Sequence, residues 1–195
     1  WGHRSHAVLE ESALAWRRFR AGLSPVAGTF ARVASIALNA VLAADLRLGD
    51  RVAIYGQGVI GLLATRLAVL SGARVIAIDG VEQRLDLTRQ LGAEHVLTPA
   101  VAGGAGAAVR GIAPAGVDAA IELSGRDDAL HEAVRSVRVE GVVAASGFYQ
   151  GGASNLRLGE EFHHNRVRIV ASQISGVPVG LGFRWDQRRL VETVT

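Results

Sequence analysis

A short apolar run, Arg51-Val-Ala-Ile-Tyr55, passes directly into Gly56-Gln-Gly-Val-Ile-Gly61 and then into Leu62 to Leu70. No other feature of the chain restricts its fold as much. After a strand and before a helix, three glycines at this spacing have separate uses. Gly56 permits a tight turn, Gly58 lets the main chain approach a bound group without a Cβ in the way, and Gly61 lets helix and strand pack closely. Leu63, Leu67 and Leu70 recur at helical spacing and predict the face laid on a sheet, and Ser71-Gly72 ends the helix. In a chain with 24 glycines the match alone would be weak; its place between strand and helix gives it meaning.

The same alternation continues downstream. Arg74-Val-Ile-Ala-Ile78 reads as a second strand, apolar nearly throughout, as expected when helices cover both faces. Val81 to Leu91 reads as a helix closed by Gly92, and His95-Val-Leu97 as a third strand. The Gly/Ala-rich stretch from Pro99 to Gly116 holds at most one helix. Val117 to Leu123 is a fourth strand, Asp127 to Val137 a helix, Gly141 to Ala145 a fifth strand and Arg168 to Ala171 a sixth. Parallel neighbours need a crossover, and the crossover is right-handed. The pattern therefore predicts an α/β fold with a doubly wound parallel six-stranded sheet of the Rossmann type. Outside the repeat, Gly2 to Glu11 reads as a strand and a loop. The stretch after Ser24-Pro25 reads as one Ala-rich helix through Ala43, and Arg184 onward as the opening of a helix capped by Asp186.

Asp79 stands at the carboxyl end of the second strand, 18 residues beyond Gly61. A carboxylate there accepts hydrogen bonds from the ribose hydroxyls of an adenosine and repels a 2′-phosphate, while a helix amino end offers free N–H groups to phosphates. Gly56, Gln57, Gly58, Val59, Ile60 and Gly61 are thus candidates for holding a pyrophosphate, and Asp79 for holding the sugar. The cofactor expected is NAD rather than NADP; Arg84, which can reach towards a phosphate, is the counter-argument. The loops ending the fourth and fifth strands lie on the same edge of the sheet. Ser124 is a candidate contact on the adenosine side, and Gly147 and Phe148 on the nicotinamide side. Small residues at strand ends are as often simple turns.

Composition removes several alternatives. The chain has no Cys, which excludes a disulfide framework, a Cys-based zinc or iron–sulfur site and a thiol nucleophile within these residues. It has no Lys, so all 21 basic residues are Arg; this lifts the isoelectric point to about 10.4 while the net charge stays at +3. Such a charge gives little reason to expect a nucleic-acid partner. No apolar run approaches the roughly 20 residues that span a bilayer, and no signal peptide opens the chain; a cytoplasmic location is expected, with no membrane partner. A chain that begins at Trp1 and contains no Met predicts a portion of something longer.

Taken together, Leu48-Gly-Asp-Arg-Val-Ala-Ile-Tyr-Gly-Gln-Gly-Val-Ile-Gly-Leu62, Gly72-Ala-Arg-Val-Ile-Ala-Ile-Asp79, Arg84-Leu85, Leu91-Gly-Ala93 and Glu122-Leu-Ser-Gly125 resemble the medium-chain dehydrogenase/reductase superfamily, the zinc-type alcohol dehydrogenase-like proteins. The tail from Phe162 to Ser175 with Arg184 to Leu190 is similar to a little-characterised branch of it. The resemblance implies an NAD(H)-dependent oxidoreductase moving hydride between cofactor and an alcohol or carbonyl substrate. On it, residues 1–23 would end a GroES-like catalytic domain, 24–183 would be the NAD-binding domain and 184–195 would begin the return to the catalytic domain. The catalytic acid or base is not identified within these residues. The resemblance also implies a homodimer paired through the sixth strand, Arg168 to Ala171. In zinc-dependent members one ligand comes about two dozen residues before the first loop glycine. That falls near Ala31-Arg32-Val33, which offers no ligand, so the expectation leans to an enzyme without zinc. A non-catalytic NAD-sensing module and, further off, an S-adenosylmethionine methyltransferase are competing readings, since the latter shares a Gly-rich first loop and an acidic second-strand end.

Other signals are weaker. His163-His164 suggests a metal or proton relay, but adjacent side chains diverge and a plain turn serves as well. His3 and His6 fit a surface strand better than an active site. Trp16-Arg-Arg-Phe-Arg20 interleaves bases with aromatics, as nucleic-acid binders do, yet also suits a solvated loop or an interface. Arg184, Arg188 and Arg189 around Trp185 either meet an anionic substrate or pair with Glu160, Glu161 or Asp186.

Overall fold

A computed structural model describes residues 5–14 and 19–195. The elements are α1 (Glu11–Leu14), α2 (Pro25–Thr29), α3 (Ala31–Ala43), β1 (Arg51–Tyr55), α4 (Val59–Leu70), β2 (Arg74–Ile78), α5 (Glu82–Gln90), β3 (His95–Leu97), α6 (Ala105–Ile112), β4 (Val117–Glu122), α7 (Asp127–Ser136), β5 (Val137–Ala145), β6 (Arg168–Ala171) and α8 (Gln187–Val194). The strands form one sheet in the order β3-β2-β1-β4-β5-β6, and every pair is parallel. The doubly wound α/β sheet expected from the sequence is the fold.

Alternation along each strand divides the core in two. Val52 and Ile54 of β1 pack with Ala37, Ala40 and Val41 of α3 and Ala64 and Ala68 of α4. Ala53 and Tyr55 face the other way, into Val109 of α6 and Leu130, Ala133 and Val134 of α7. Both faces of the central strands are buried, as their unbroken apolar runs require.

Several local expectations need correction. α4 begins at Val59, not Leu62, and buries Gly61, Ala64, Thr65 and Ala68, with Leu63 and Leu67 partly buried beside them; Leu70 is 65% exposed. A face of small residues lets this helix lie closer to the sheet than leucines would. The single helix expected from Pro25 to Ala43 is two. Ser24 caps the first through Ala27 N–H at 3.1 Å, and the chain re-aims at Phe30 before α3. β5 starts four residues earlier than Gly141, its first part irregular: Val117 of β4 pairs with Val137 but Ala119 pairs with Val142, and Glu140 takes a left-handed φ of 60°. No strand forms among the described residues up to Glu11; residues 6–10 are irregular and α1 is one turn. His3, Trp16, Arg17 and Arg18 lie outside the described residues. Phe19 lays its ring over Gly28, where a Cβ would stand 2.7 Å from it.

At the other end Asp186 caps α8 as expected, accepting Arg189 N–H at 2.7 Å. α8 packs on α3 and buries Leu190 completely.

Candidate functional site

The carboxyl ends of β1, β2 and β4 open onto a cavity of about 1250 Å³. It lies where the chain order reverses, β1 having β2 on one side and β4 on the other, and a crevice forms there in open α/β sheets. Gly56, Gly58, Asp79, Arg84 and Ser124 all line it.

Two of the loop glycines are required by the fold itself. Gly56 has φ +89°, and a Cβ on it would stand 2.8 Å from Ser124 N; on Gly61 a Cβ would stand 1.9 Å from the Gly56 carbonyl oxygen. Gly58 is different. Its φ is −69° and a Cβ there would meet nothing within 4 Å. It is the N-cap of α4 and contributes no side-chain cap, so the first N–H groups of that helix, Val59 to Gly61, donate no hydrogen bond to a side chain of the cap residue.

Asp79 is 7% exposed and holds the loop together from below. Its carboxylate accepts the N–H of Gln57 at 2.6 Å and of Val81 at 2.8 Å, and Arg84 approaches it at 3.5 Å. Gln57 itself turns inward. Fully buried, it donates to Ile54 O at 3.0 Å and accepts from the Thr65 hydroxyl at 2.9 Å. Val59, Ile60 and Gly61 do not line the cavity, and Val59 is 53% exposed. Gly147 and Phe148 lie outside the cavity, beyond Ser124 on the β5 side, with Phe148 82% exposed.

Sequence reasoning did not anticipate the far part of the cavity. There the outer face of α7 contributes Asp128, His131, Glu132 and Arg135, and the kinked turn Leu158–Phe162 contributes Glu160 and Glu161. Most of these charges are paired. Arg126 binds Asp128 through two contacts, at 2.9 and 2.5 Å, and holds its carboxyl below the usual range. Arg135 bridges Glu132 at 2.8 Å and Glu161 at 3.4 Å, and Glu132 accepts Gly106 N–H at the amino end of α6. Asn155 donates to Asp127 through its main chain at 2.9 Å and its side chain, which also holds that carboxyl low. Helical spacing from Asp128 was the available signal. The role of Glu122, fully buried at the end of β4, was also missed.

The profile of the zinc-binding dehydrogenase family matches residues 59–182. The chain belongs to the medium-chain dehydrogenase/reductase superfamily and corresponds to its cofactor-binding domain. D-guloside 3-dehydrogenase of Escherichia coli (strain K12) is 35% identical over 162 residues, which is 82% of this chain and 46% of that protein. (R,R)-butanediol dehydrogenase of Bacillus subtilis (strain 168) is 28% identical over 83% of this chain and 44% of its own length. Among solved structures, alcohol dehydrogenase TADH from Thermus sp. ATN1 superposes with a TM-score of 0.76 at 26% identity, covering 91% of this chain and 48% of that one. A protein of Sinorhizobium meliloti 1021, described as a zinc-binding dehydrogenase and bound to NADP, gives 0.74 at 27% identity over 90% of this chain and 50% of its own. The chain thus spans about half the length of the relatives it matches. Membership of this superfamily leaves the methyltransferase reading without support.

The remaining signals resolve locally. Among the described residues no three His, Asp or Glu side chains are grouped to hold a metal, and Arg32 is exposed on α3. His163 and His164 stand edge to face, ring centroids 5.5 Å apart, both exposed. Arg188 pairs with Glu192 at 2.6 Å, and Arg189 stacks over Trp185 at 4.5 Å and donates to Arg184 O. Neither of these two pairs with Glu160 or Glu161. No helix among the described residues is long and apolar enough to cross a membrane.

Proposed function

We propose that this chain binds a nicotinamide adenine dinucleotide, NAD in preference to NADP, for an oxidoreductase acting on an alcohol or carbonyl. One observation carries the reading: the fold explains the glycines at 56 and 61 but not the one at 58, which lines the cavity and whose missing Cβ leaves open space there. A pyrophosphate laid over Gly58 would take hydrogen bonds from the amino end of α4. Asp79, already fixed by two backbone N–H groups, would accept from the ribose with its remaining lone pairs. A 2′-phosphate beside this nearly buried carboxylate would be repelled, and Arg84 is drawn towards Asp79 rather than free to offset the charge. When bound, the dinucleotide supplies the hydride chemistry; the residues here bind it, orient it and fix its two halves on either side of β1. The relatives' names favour an alcohol or polyol as substrate.

The described residues do not fit a zinc ion, so we derive no step through one. We retain the division at residues 23 and 183, a cytoplasmic location, and a homodimer formed through β6, which among the described residues has β5 as its sole neighbour in the sheet. Light scattering tests the last. Titration with NADH, NADPH and S-adenosylmethionine tests the main reading. NADH is expected to bind most tightly, and Asp79→Ala to narrow its advantage over NADPH. Binding of S-adenosylmethionine alone would sink the proposal, and an unaltered NADH/NADPH ratio in the variant would sink the role given to Asp79.

A further inference from the structure

Glu122 is a carboxylate with no exposure at all, placed where three loops of the carboxyl edge cross. One oxygen accepts Ser124 N–H at 2.6 Å and the Ser124 hydroxyl; the other accepts Gly125 N–H at 3.2 Å and the Tyr149 hydroxyl at 2.5 Å. Four donors fill what two carboxylate oxygens readily accept. The main-chain oxygen of Glu122 takes the N–H groups of Ser146 and Gly147, both at 2.9 Å. Around it the loops meet backbone to backbone. A Cβ would stand 2.7 Å from Phe148 O if added to Gly125, and 2.4 Å from Gly125 N if added to Gly147. With Gly56 against Ser124, a line without intervening side chains runs from the loop after β1 to the loop after β5. Close packing of this kind transmits a displacement rather than absorbing it.

We propose that the Tyr149–Glu122 pair is a latch, with Tyr149 the positioning residue that sets Phe148 to receive the nicotinamide half of the dinucleotide. This rests on the dinucleotide reading. β5 lies on the opposite side of β1 from β2 and Asp79, which is the side left to the nicotinamide once the adenosine is held at Asp79. The ring of Phe148 is largely exposed, so its place is set by its neighbours in the chain: Gly147, wedged against Gly125, and Tyr149, tied to Glu122. Burial, and then the Glu122 carboxylate, raise the Tyr149 phenol, which keeps the hydroxyl a donor.

The test compares NADH with ADP-ribose, which lacks the nicotinamide, by calorimetry on the 195-residue chain and on Tyr149→Phe, Phe148→Ala and the double variant. Tyr149→Phe is expected to weaken NADH about tenfold while ADP-ribose stays within about twofold. Because Tyr149 acts through Phe148, the double variant should lose little more than either single one. Equal losses for both ligands would reduce Tyr149 to a support of the fold, and no loss, or additive losses, would overturn the latch. If the unaltered chain binds neither compound, the dinucleotide reading itself fails; if it binds both and Tyr149→Phe changes nothing, only the latch does.

Discussion

Gly61 of α4 lies directly against Gly56, so that a Cβ on Gly61 would stand 1.9 Å from the Gly56 carbonyl oxygen. Main chain cannot step aside as a side chain can, so Gly61→Ala must push α4 away from the sheet or distort the loop. The expected cost is about 1–3 kcal/mol, as for overpacking generally. In a chain of this length that lowers Tm by roughly 2–4 °C for each kcal/mol. Thermal denaturation followed by circular dichroism measures it, and an unchanged Tm would mean the helix is not held this close.

Gln57 sits inside the loop thought to bind phosphate, yet its side chain belongs to the core. Gln57→Leu keeps most of the volume and strips the Thr65 hydroxyl of its partner. Stability should fall by about 1–3 kcal/mol, while NADH affinity stays within about twofold of the unaltered chain. A large loss of affinity without loss of stability would place this side chain at the cofactor instead.

The chain has two tyrosines, Tyr55 and Tyr149, and burial is the main cause that raises both phenols above their ordinary value. Tyr55 donates to Glu132 O at 3.0 Å, Tyr149 to Glu122. Folding therefore tightens proton binding at both. Their contribution to stability is complete below the unfolded value of about 10 and is lost as pH rises beyond it. Absorbance at 295 nm should show no phenolate in the folded chain at that pH, ionisation arriving only with unfolding. A transition near the ordinary value with an intact circular dichroism spectrum would contradict this burial.

Asp127 behaves in the opposite sense, since hydrogen bonds from Asn155 lower its folded value. The tie between α7 and the segment around Asn155 is then fully present above the unfolded carboxylate value of about 4 and lost as pH falls through the folded one. The Asn155 amide resonance, followed by NMR during acidification, should titrate with a midpoint below the ordinary aspartate value. In Asp127→Asn it should not move.

Legibility in the sequence followed the range of the forces at work. β1, β2 and β4 are apolar runs bounded by glycine, and burial on both faces leaves that signature in consecutive residues. The start of β5 left none, because Val137 to Glu140 follows α7 without a turn residue and carries charges. Leu63 and Leu67 do pack at the margin of the α4 contact, but Leu70 misled, and the centre of that face is small because the closeness enforced at Gly61 favours alanine over leucine there. At the site, Gly56, Gly58, Asp79 and Ser124 were readable from spacing and do meet in one cavity. Glu122 was not, since one of its four donors comes from Tyr149, 27 residues away. His131, Glu160 and Glu161 come together only through the path of the loop after β5, which no local pattern encodes.

Gly58 remains the position where fold and function separate most cleanly, because nothing in the chain forbids a methyl group there. NADH titration of the unaltered chain and of Gly58→Ala, with Tm recorded for both, isolates it. Dinucleotide binding over Gly58 predicts saturable binding by the unaltered chain, an affinity lower by about tenfold or more in the variant, and a Tm lower by no more than the few degrees that Ala in place of Gly costs at an N-cap. Equal affinity in the two proteins, or no binding of NADH by the unaltered chain, would contradict it.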